Sequence, residues 1–353
     1  MIPADVSSWA DGPTRSGPTI RDVAQAAGVS IGTVSKALSG RGKLRPETTT
    51  RVQAAAARLG FRPNALAHSL VRGRTFTVGL LTSDLEGRFS IPLLTGIEDA
   101  LGDACISVFL CNVRRDPARE QQHLESLLAK RVDGIIITGS RTDPRPPIDL
   151  GAARVPVLYA FALSQNPDDL SLIPDNVQGG RIAAEQLVHA GRRAIAHVTG
   201  PESYDCVPFR RAGMLEVLRA HGLDCPDRRT LVGEWSEAWG YEAAGRLLDV
   251  APEADAVFCG SDQIARGVMD RLREAGVRVP DDVAVVGFDN WDVVVEGTRP
   301  ALTTVDMELE QLGRLAGRCL LDLIDGRRES GVRREPCRLV VRESCGANRP
   351  AAT

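Results

Sequence analysis

The sequence predicts an all-α N-terminal head, with a helix-turn-helix and a further short helix, followed by an α/β two-lobed body built on parallel sheets. Three observations carry that reading. Apolar residues recur at helical spacing across 19–63. From residue 75 onward, β-branched runs alternate with helical stretches. Basic charge is concentrated in the head, although the whole 353-residue chain carries −3. The expected divisions are a disordered leader at 1–18, the head at 19–63 and a short helix and linker at 64–74. The body then runs over 75–346, with a tail at 347–353.

In the head, Ile20, Val23, Ala24 and Ala27 fall at i, i+3, i+4 and i+7, the stripe of a short helix. Gly28 follows where a left-handed stop favours glycine. Ser30 is a natural cap for a second helix that turns Val34, Ala37 and Leu38 inward. A third helix opens at Pro46, carries Val52, Ala55, Ala56 and Leu59, and stops at Gly60. In a helix-turn-helix the second helix enters the major groove by its N-terminal residues. Its outward positions are Ile31, Gly32, Ser35 and Lys36. Lys36 suits guanine O6 and N7, and Ile31 suits a thymine methyl. Ser30, Thr33 and Ser35 are short donors suited to phosphates, which position without specifying. Beyond Pro63, Asn64 caps a two-turn segment whose apolar edge is Leu66 and Leu70. A helix that short needs a partner, either a second copy or DNA.

The body's strands are expected at 77–81, 106–110, 134–138, 156–159, 194–198, 256–259 and 283–287. Helical spacing lies between them, as at 92–102 and 179–190. One sheet of so many strands would be large, so two lobes are expected.

Charge separates head from body. Residues 19–74 hold ten basic and two acidic side chains, a net of +8, against −11 for the remainder. A basic head on an acidic body points to a polyanion partner for the head. No apolar run is long enough for a bilayer, and the first residues lack a signal-peptide core, so a cytoplasmic protein without a membrane partner is expected. The eight cysteines form no C-x-x-C pair and no histidines cluster near them, so free thiols are expected rather than a disulfide framework or a metal site. Walker, nucleophile-elbow, dinucleotide-binding and zincin signatures are absent, and neither an enzyme nor a cofactor is expected. The adjacent acids Asp168-Asp169 and Asp281-Asp282 read as solvated loops. A plain solute-binding protein is the rival reading, and the basic head speaks against it. A DNA-binding protein that senses a non-sugar ligand, or none, is a further alternative.

The stretches TIRDVAQAAGVSIGTVSKALSG (19–40) and RPNALAHSL (62–70), in that order and spacing, resemble the LacI/GalR family of bacterial regulators. The likeness continues through RVDGIII (131–137), DNVQGGR (175–181), FRRAG (209–213), SDQIARG (261–267), VPDDVAVVGFDN (279–290), RPALTTV (299–305) and VRES (341–344). The resemblance implies a periplasmic-binding-protein-like body with a ligand cleft between lobes, at about 75–173 plus 306–335 and about 174–305 plus 336–346. It implies a homodimer on a pseudo-palindromic double-stranded DNA operator, usually released by a carbohydrate-like effector. A dimer is expected rather than a tetramer, because no leucine-heptad tail follows 341–344. The resemblance makes 64–74 a hinge helix and linker; hinge helices lie in the minor groove in this family, which makes Leu70 the wedge and Ala67 its close-packed neighbour. Thr19, Asn64 and His68 complete the set expected at DNA. Ile31 and Gly32 depart from the polar pair common at the start of the recognition helix, which places more of the readout on Lys36, the hinge and DNA shape.

For the effector, position in the family pattern makes Arg210 a bidentate clamp on hydroxyls and Asp289 an acceptor, with Trp235 and Phe89 covering a ring face. Arg210 and Asp289 read alternatively as an ion pair across the cleft, and Trp235 as ordinary packing. Ser83, Asp84, Thr138 and Ser261 are further polar candidates at strand ends. Phe161 stands where a polar residue is common in the family and implies a more apolar subsite. Asp262 is expected to cap the following helix, and His189 and His197 to have no role.

Overall fold

Among the described residues, three helices make the head: α1 (Ile20–Ala27), α2 (Ile31–Ser39) and α3 (Pro46–Leu59). The structure, a computed structural model, describes residues 18–39, 43–61, 74–85 and 87–346. The hinge positions Asn64, Ala67, His68 and Leu70, the leader at 1–17 and the tail at 347–353 lie outside them. Thr19 closes a capping box with Asp22, and Gly28 (φ 63) ends α1 in the left-handed region that L side chains avoid. Ser30 Oγ accepts from Thr33 N at 3.2 Å and caps α2. Val23, Ala24, Ala27, Val34, Ala37, Val52, Ala55 and Ala56 are buried together. Small side chains let three short helices meet closely, so the core is thin.

The body is a separate unit beginning at Phe76. Its first lobe carries β1 (Thr77–Thr82), β2 (Ser107–Asn112), β3 (Gly134–Thr138), β5 (Val157–Ala160), β7 (Leu170–Pro174) and β13 (Gly331–Glu335). They form one parallel sheet in the order β13-β7-β5-β3-β1-β2. Helices α4 (Ser90–Asp103), α5 (Pro117–Ala129) and α11 (Leu309–Ile324) cover it. The second sheet runs β14-β12-β11-β10-β8-β9, parallel except for β14. Its members are β8 (Ile195–Thr199), β9 (Thr230–Val232), β10 (Ala256–Cys259), β11 (Ala284–Phe288), β12 (Thr303–Asp306) and β14 (Arg338–Val340). Around it lie α6 (Asn176–His189), α7 (Cys206–Ala220), α8 (Glu237–Val250), α9 (Asp262–Glu274) and the short α10 (Asp292–Val295). The small strands β4 (Pro144–Arg145) and β6 (Leu163–Ser164) pair beside the first sheet.

Strand periodicity divides each sheet's side chains between two cores. Leu80 and Ile136 face one cluster, whereas Leu81, Ile135 and Ile137 face the other. In the second lobe Ala256 and Phe258 face α6 and α7, whereas Val257 and Cys259 face α8 and α9. Three helix pairs use reciprocal glycines to bring backbones into contact. A Cβ on Gly96 of α4 would lie 1.9 Å from Glu310 O, and one on Gly313 of α11 2.2 Å from Leu93 O. Gly180 and Gly213 join α6 to α7 in the same way, and Gly240 and Gly267 join α8 to α9.

Several strand positions differ from expectation. β2 starts at Ser107 rather than 106, because Ile106 N is still bonded to Leu101 O at the end of α4 and Cys105 sits at φ 57. Strands β4, β6, β7, β9, β12, β13 and β14 were not expected, being very short, proline-ended, threonine-rich or arginine-rich.

Candidate functional site

The head presents one face of α2 outward. Ile31, Gly32, Ser35 and Lys36 are exposed there, with Ile31 45% accessible. The Ser30 and Thr33 hydroxyls lie 2.9 Å apart, so the cap also orients the two short donors proposed for phosphates. Thr19 Oγ1 donates to Asp22 Oδ2 at 2.8 Å, which commits that hydroxyl to its own helix start. The backbone amides at the α2 start remain an anion-facing terminus, as any helix N-terminus is.

In the body, the carboxyl ends of strands open on a cleft of about 1520 Å³ between the lobes. Ser83, Asp84, Phe89, Thr138, Phe161, Arg210, Trp235 and Asp289 all line it. Ser261 does not: it is fully buried and caps α9, its Oγ accepting from Ile264 N. That corrects the expectation for Ser261 and also the one for Asp262. Asp262 begins the helix but faces away from its amides, accepting from Thr304 Oγ1 at 2.5 Å and Trp291 N at 2.8 Å.

Arg210 is held mainly by its own lobe, with one weak contact from Nη2 to Met307 Sδ at 3.8 Å. Its Nε donates to Asn176 Oδ1 at 2.9 Å, its Nη1 donates to Gly260 O at 2.6 Å, and its guanidinium stacks on Phe288 at 3.5 Å. Asp289 Oδ1 lies 3.9 Å from Arg210 Nη1. Both residues belong to the second lobe, so their pairing does not cross the cleft. Asp289 and Asn290 hold positive φ values of 109° and 48°, which non-glycine residues adopt at a cost when a site demands it.

Aromatic faces complete the walls. Phe89 packs on Phe161 at 5.0 Å, and Tyr204 meets Trp235 edge-on at 5.8 Å. Trp239, by contrast, is core, with Nε1 donating to Thr199 O at 3.0 Å. Sequence reasoning missed Arg88, Asn176, Tyr204 and Trp291, which also line the cleft. Asn176 was hidden inside an ordinary helix start. Arg88 was hidden in a loop with no motif.

The electrostatics follow from burial. Burial pushes the Asp262 carboxyl up to about 8, and the nearby Asp289 adds to the rise. Asp289 is also pushed up by burial, against the pull of Arg88 and Arg210. His197 is fully buried on β8, stacked on Phe258, and burial brings it down to about 4. His189 is exposed at the end of α6. Among the described residues no cluster of histidine, cysteine, aspartate or glutamate is arranged to hold a metal ion, and no helix is long and apolar enough to cross a membrane.

Comparison with known proteins agrees with this arrangement. Residues 19–64 match the family of bacterial regulatory proteins of the lacI type, and residues 184–345 match a periplasmic binding protein-like domain. The HTH-type transcriptional regulator CelR of Thermobifida fusca is 35% identical over 333 residues, covering 93% of this chain and 96% of CelR. The ribose operon repressor of Escherichia coli K12 is 34% identical, covering 84% of this chain and 90% of that protein. Among solved structures, the Lac repressor dimer bound to operator and the anti-inducer ONPF has a TM-score of 0.75 at 29% identity, covering 93% of this chain and 99% of that one. A CelR–cellobiose complex has a TM-score of 0.64 at 32% identity, covering 93% of this chain and 99% of its own. With a basic, outward-facing α2 ahead of a two-lobed binding body, the chain belongs to the lacI family of bacterial regulatory proteins.

Proposed function

We propose that the chain is a transcription repressor that binds a pseudo-palindromic operator as a homodimer and is released by a sugar-like effector. Residues 19–63 read the major groove through α2, and 64–74 supply the hinge, with Leu70 as the minor-groove wedge. Residues 75–346 sense the effector and dimerise. The observation that carries the effector reading is the chemistry of the cleft. Thr138 Oγ1, Asp289 Oδ1 and Arg88 Nε are buried without hydrogen-bond partners, beside the Phe89, Phe161 and Trp235 rings. Convergent polar atoms next to flat apolar faces suit a polyol ring. The solved CelR–cellobiose complex supports that class. A flat heteroaromatic ligand is the second reading, favoured by the same aromatic walls.

The dimer is supported by the edge strand β2, where Phe109 and Leu110 are 45% and 47% exposed. An apolar sheet edge of this kind is a template for a second chain.

A footprint of the purified protein on its own upstream DNA, repeated with neutral sugars and nucleobases, tests the reading. A two-fold symmetric footprint erased by a sugar is expected. A footprint erased by nucleobases alone selects the second reading, and no protection at all defeats both.

A further inference from the structure

The lobes are tied together by a side chain that the family pattern does not single out. Arg88 leaves the loop after β1 in the first lobe and reaches into the second. There Arg88 Nη2 lies 2.8 Å from Asp289 Oδ2, and Nη1 donates to Gln263 Oε1 at 2.5 Å. The guanidinium lies over Phe89 of its own lobe at 4.6 Å and Trp291 of the other at 5.5 Å. The pair is largely withdrawn from water, with side chains 16% and 3% exposed.

Arg88 and Arg210 are placed in contrasting ways. Arg210 is held chiefly by a carboxamide, a backbone carbonyl and a ring of the second lobe, with one weak Nη2 contact to Met307 Sδ at 3.8 Å in the segment that leads into α11 of the first. Arg88 has its two acceptors in the opposite lobe, and its Nε is buried without a hydrogen-bond partner. Moving the lobes apart therefore breaks both Arg88 bonds and leaves intact the Arg210 bonds to Asn176 and Gly260 O. The carboxylate it holds is the one proposed above to accept effector hydroxyls.

We propose that Arg88 is a built-in strap and an internal competitor for effector: it draws the lobes together over Asp289 when no effector is bound. An effector that uses Asp289 must exchange its own donor for the Arg88 guanidinium. The strap thus acts as a selectivity filter. A ligand with a single hydroxyl at this point trades an ion pair, charged on both sides, for a weaker bond in which only the acceptor is charged. A ligand that hydrogen-bonds Asp289 and the freed Arg88 together makes the exchange even. Vicinal hydroxyls, one donating to Asp289 and the next accepting from Arg88, meet that requirement. Arg88 is here a positioning and selectivity residue whose effect on DNA runs through lobe geometry.

The selectivity part rests on Asp289 being an effector ligand, whereas the strap does not. The test therefore uses no effector. Amide hydrogen exchange is followed on the effector-free full chain for wild type, Arg88→Met, Arg88→Lys and Gln263→Ala. Arg88→Met keeps the apolar stem and removes both bonds. Exchange at 84–92 and 288–292 should rise at least fivefold, with the α4–α11 pair unchanged as the control for folding. Arg88→Lys, with one compact ammonium unable to span both acceptors, and Gln263→Ala, with one bond lost, should each fall between wild type and Arg88→Met. Exchange equal to wild type in Arg88→Met overturns the strap, as does a rise spread evenly over the whole body. If the strap holds and no sugar erases the footprint, the effector reading fails by itself. If a sugar erases the footprint but exchange is unchanged, only the strap fails.

Discussion

The head and the body handle polar groups in opposite ways. On α2 the groups proposed for recognition stand on the surface: Ser35 and Lys36 are exposed and Ser30 is spent only on its own cap. In the cleft, Arg210 and Asp289 are nearly fully buried and already engaged before any ligand arrives. The difference matches the partners. A duplex is a large polyanion whose counterions leave on binding, so exposed cations need little preparation. A small neutral ligand brings few contacts, and its site must be pre-arranged so that little ordering cost falls on binding.

The largest expected effect breaks the body's side of that contrast. Arg210→Ala removes a buried guanidinium that holds Asn176, Gly260 O and Phe288 and leaves Asp289 with Arg88 alone. Loss of one member of a buried charge network costs about 3–5 kcal/mol. Chemical denaturation of the body should report it, and effector response should vanish.

His197 gives the next effect. Its pKa is about 4 in the fold against 6.5 when unfolded, so only the unfolded chain takes up a proton between those values. Stability is therefore full above 6.5 and is lost as pH falls toward 4, by up to roughly 3 kcal/mol. Melting curves across that window should show a shallower loss in His197→Phe than in wild type.

The head is expected to behave otherwise. Lys36→Ala should leave stability within about 0.5 kcal/mol of wild type, yet weaken operator binding by about 1–3 kcal/mol if Lys36 reads a guanine. Fluorescence anisotropy and thermal melting separate the two quantities, and a destabilised variant would blur the head–body contrast. Thr19→Ala should be smallest, costing the head about 1 kcal/mol through its lost cap.

The same contrast explains what was legible in the sequence. Head helices announce themselves because Ile20, Val23, Ala24 and Ala27 keep helical spacing, and Gly28 and Gly60 mark their ends by backbone conformation alone. Central strands such as Gly134–Thr138 and Ala256–Cys259 are apolar on both faces and read equally well. Edge strand β13 is mostly exposed and carries Arg333, Arg334 and Glu335, so its composition resembles a loop. Strand ends place Ser83, Asp84 and Thr138 in the cleft, whereas Phe89, Phe161, Arg210, Trp235 and Asp289 were legible through the family pattern. Ser261 was misread because a serine at a strand end serves a cap as readily as a cleft. Arg88 had no local signal, since its partners Gln263 and Asp289 lie far along the chain and only the closing of two lobes brings them together.

The central claim is that a ligand held in the body changes how the head holds DNA. The direct measurement is operator affinity of the full chain by fluorescence anisotropy, at fixed salt, with and without the sugar that erases the footprint. Affinity should fall at least fivefold with sugar in wild type, the low end of ordinary allosteric coupling, and should not change in Arg210→Ala. Equal affinity with and without sugar in wild type would contradict it.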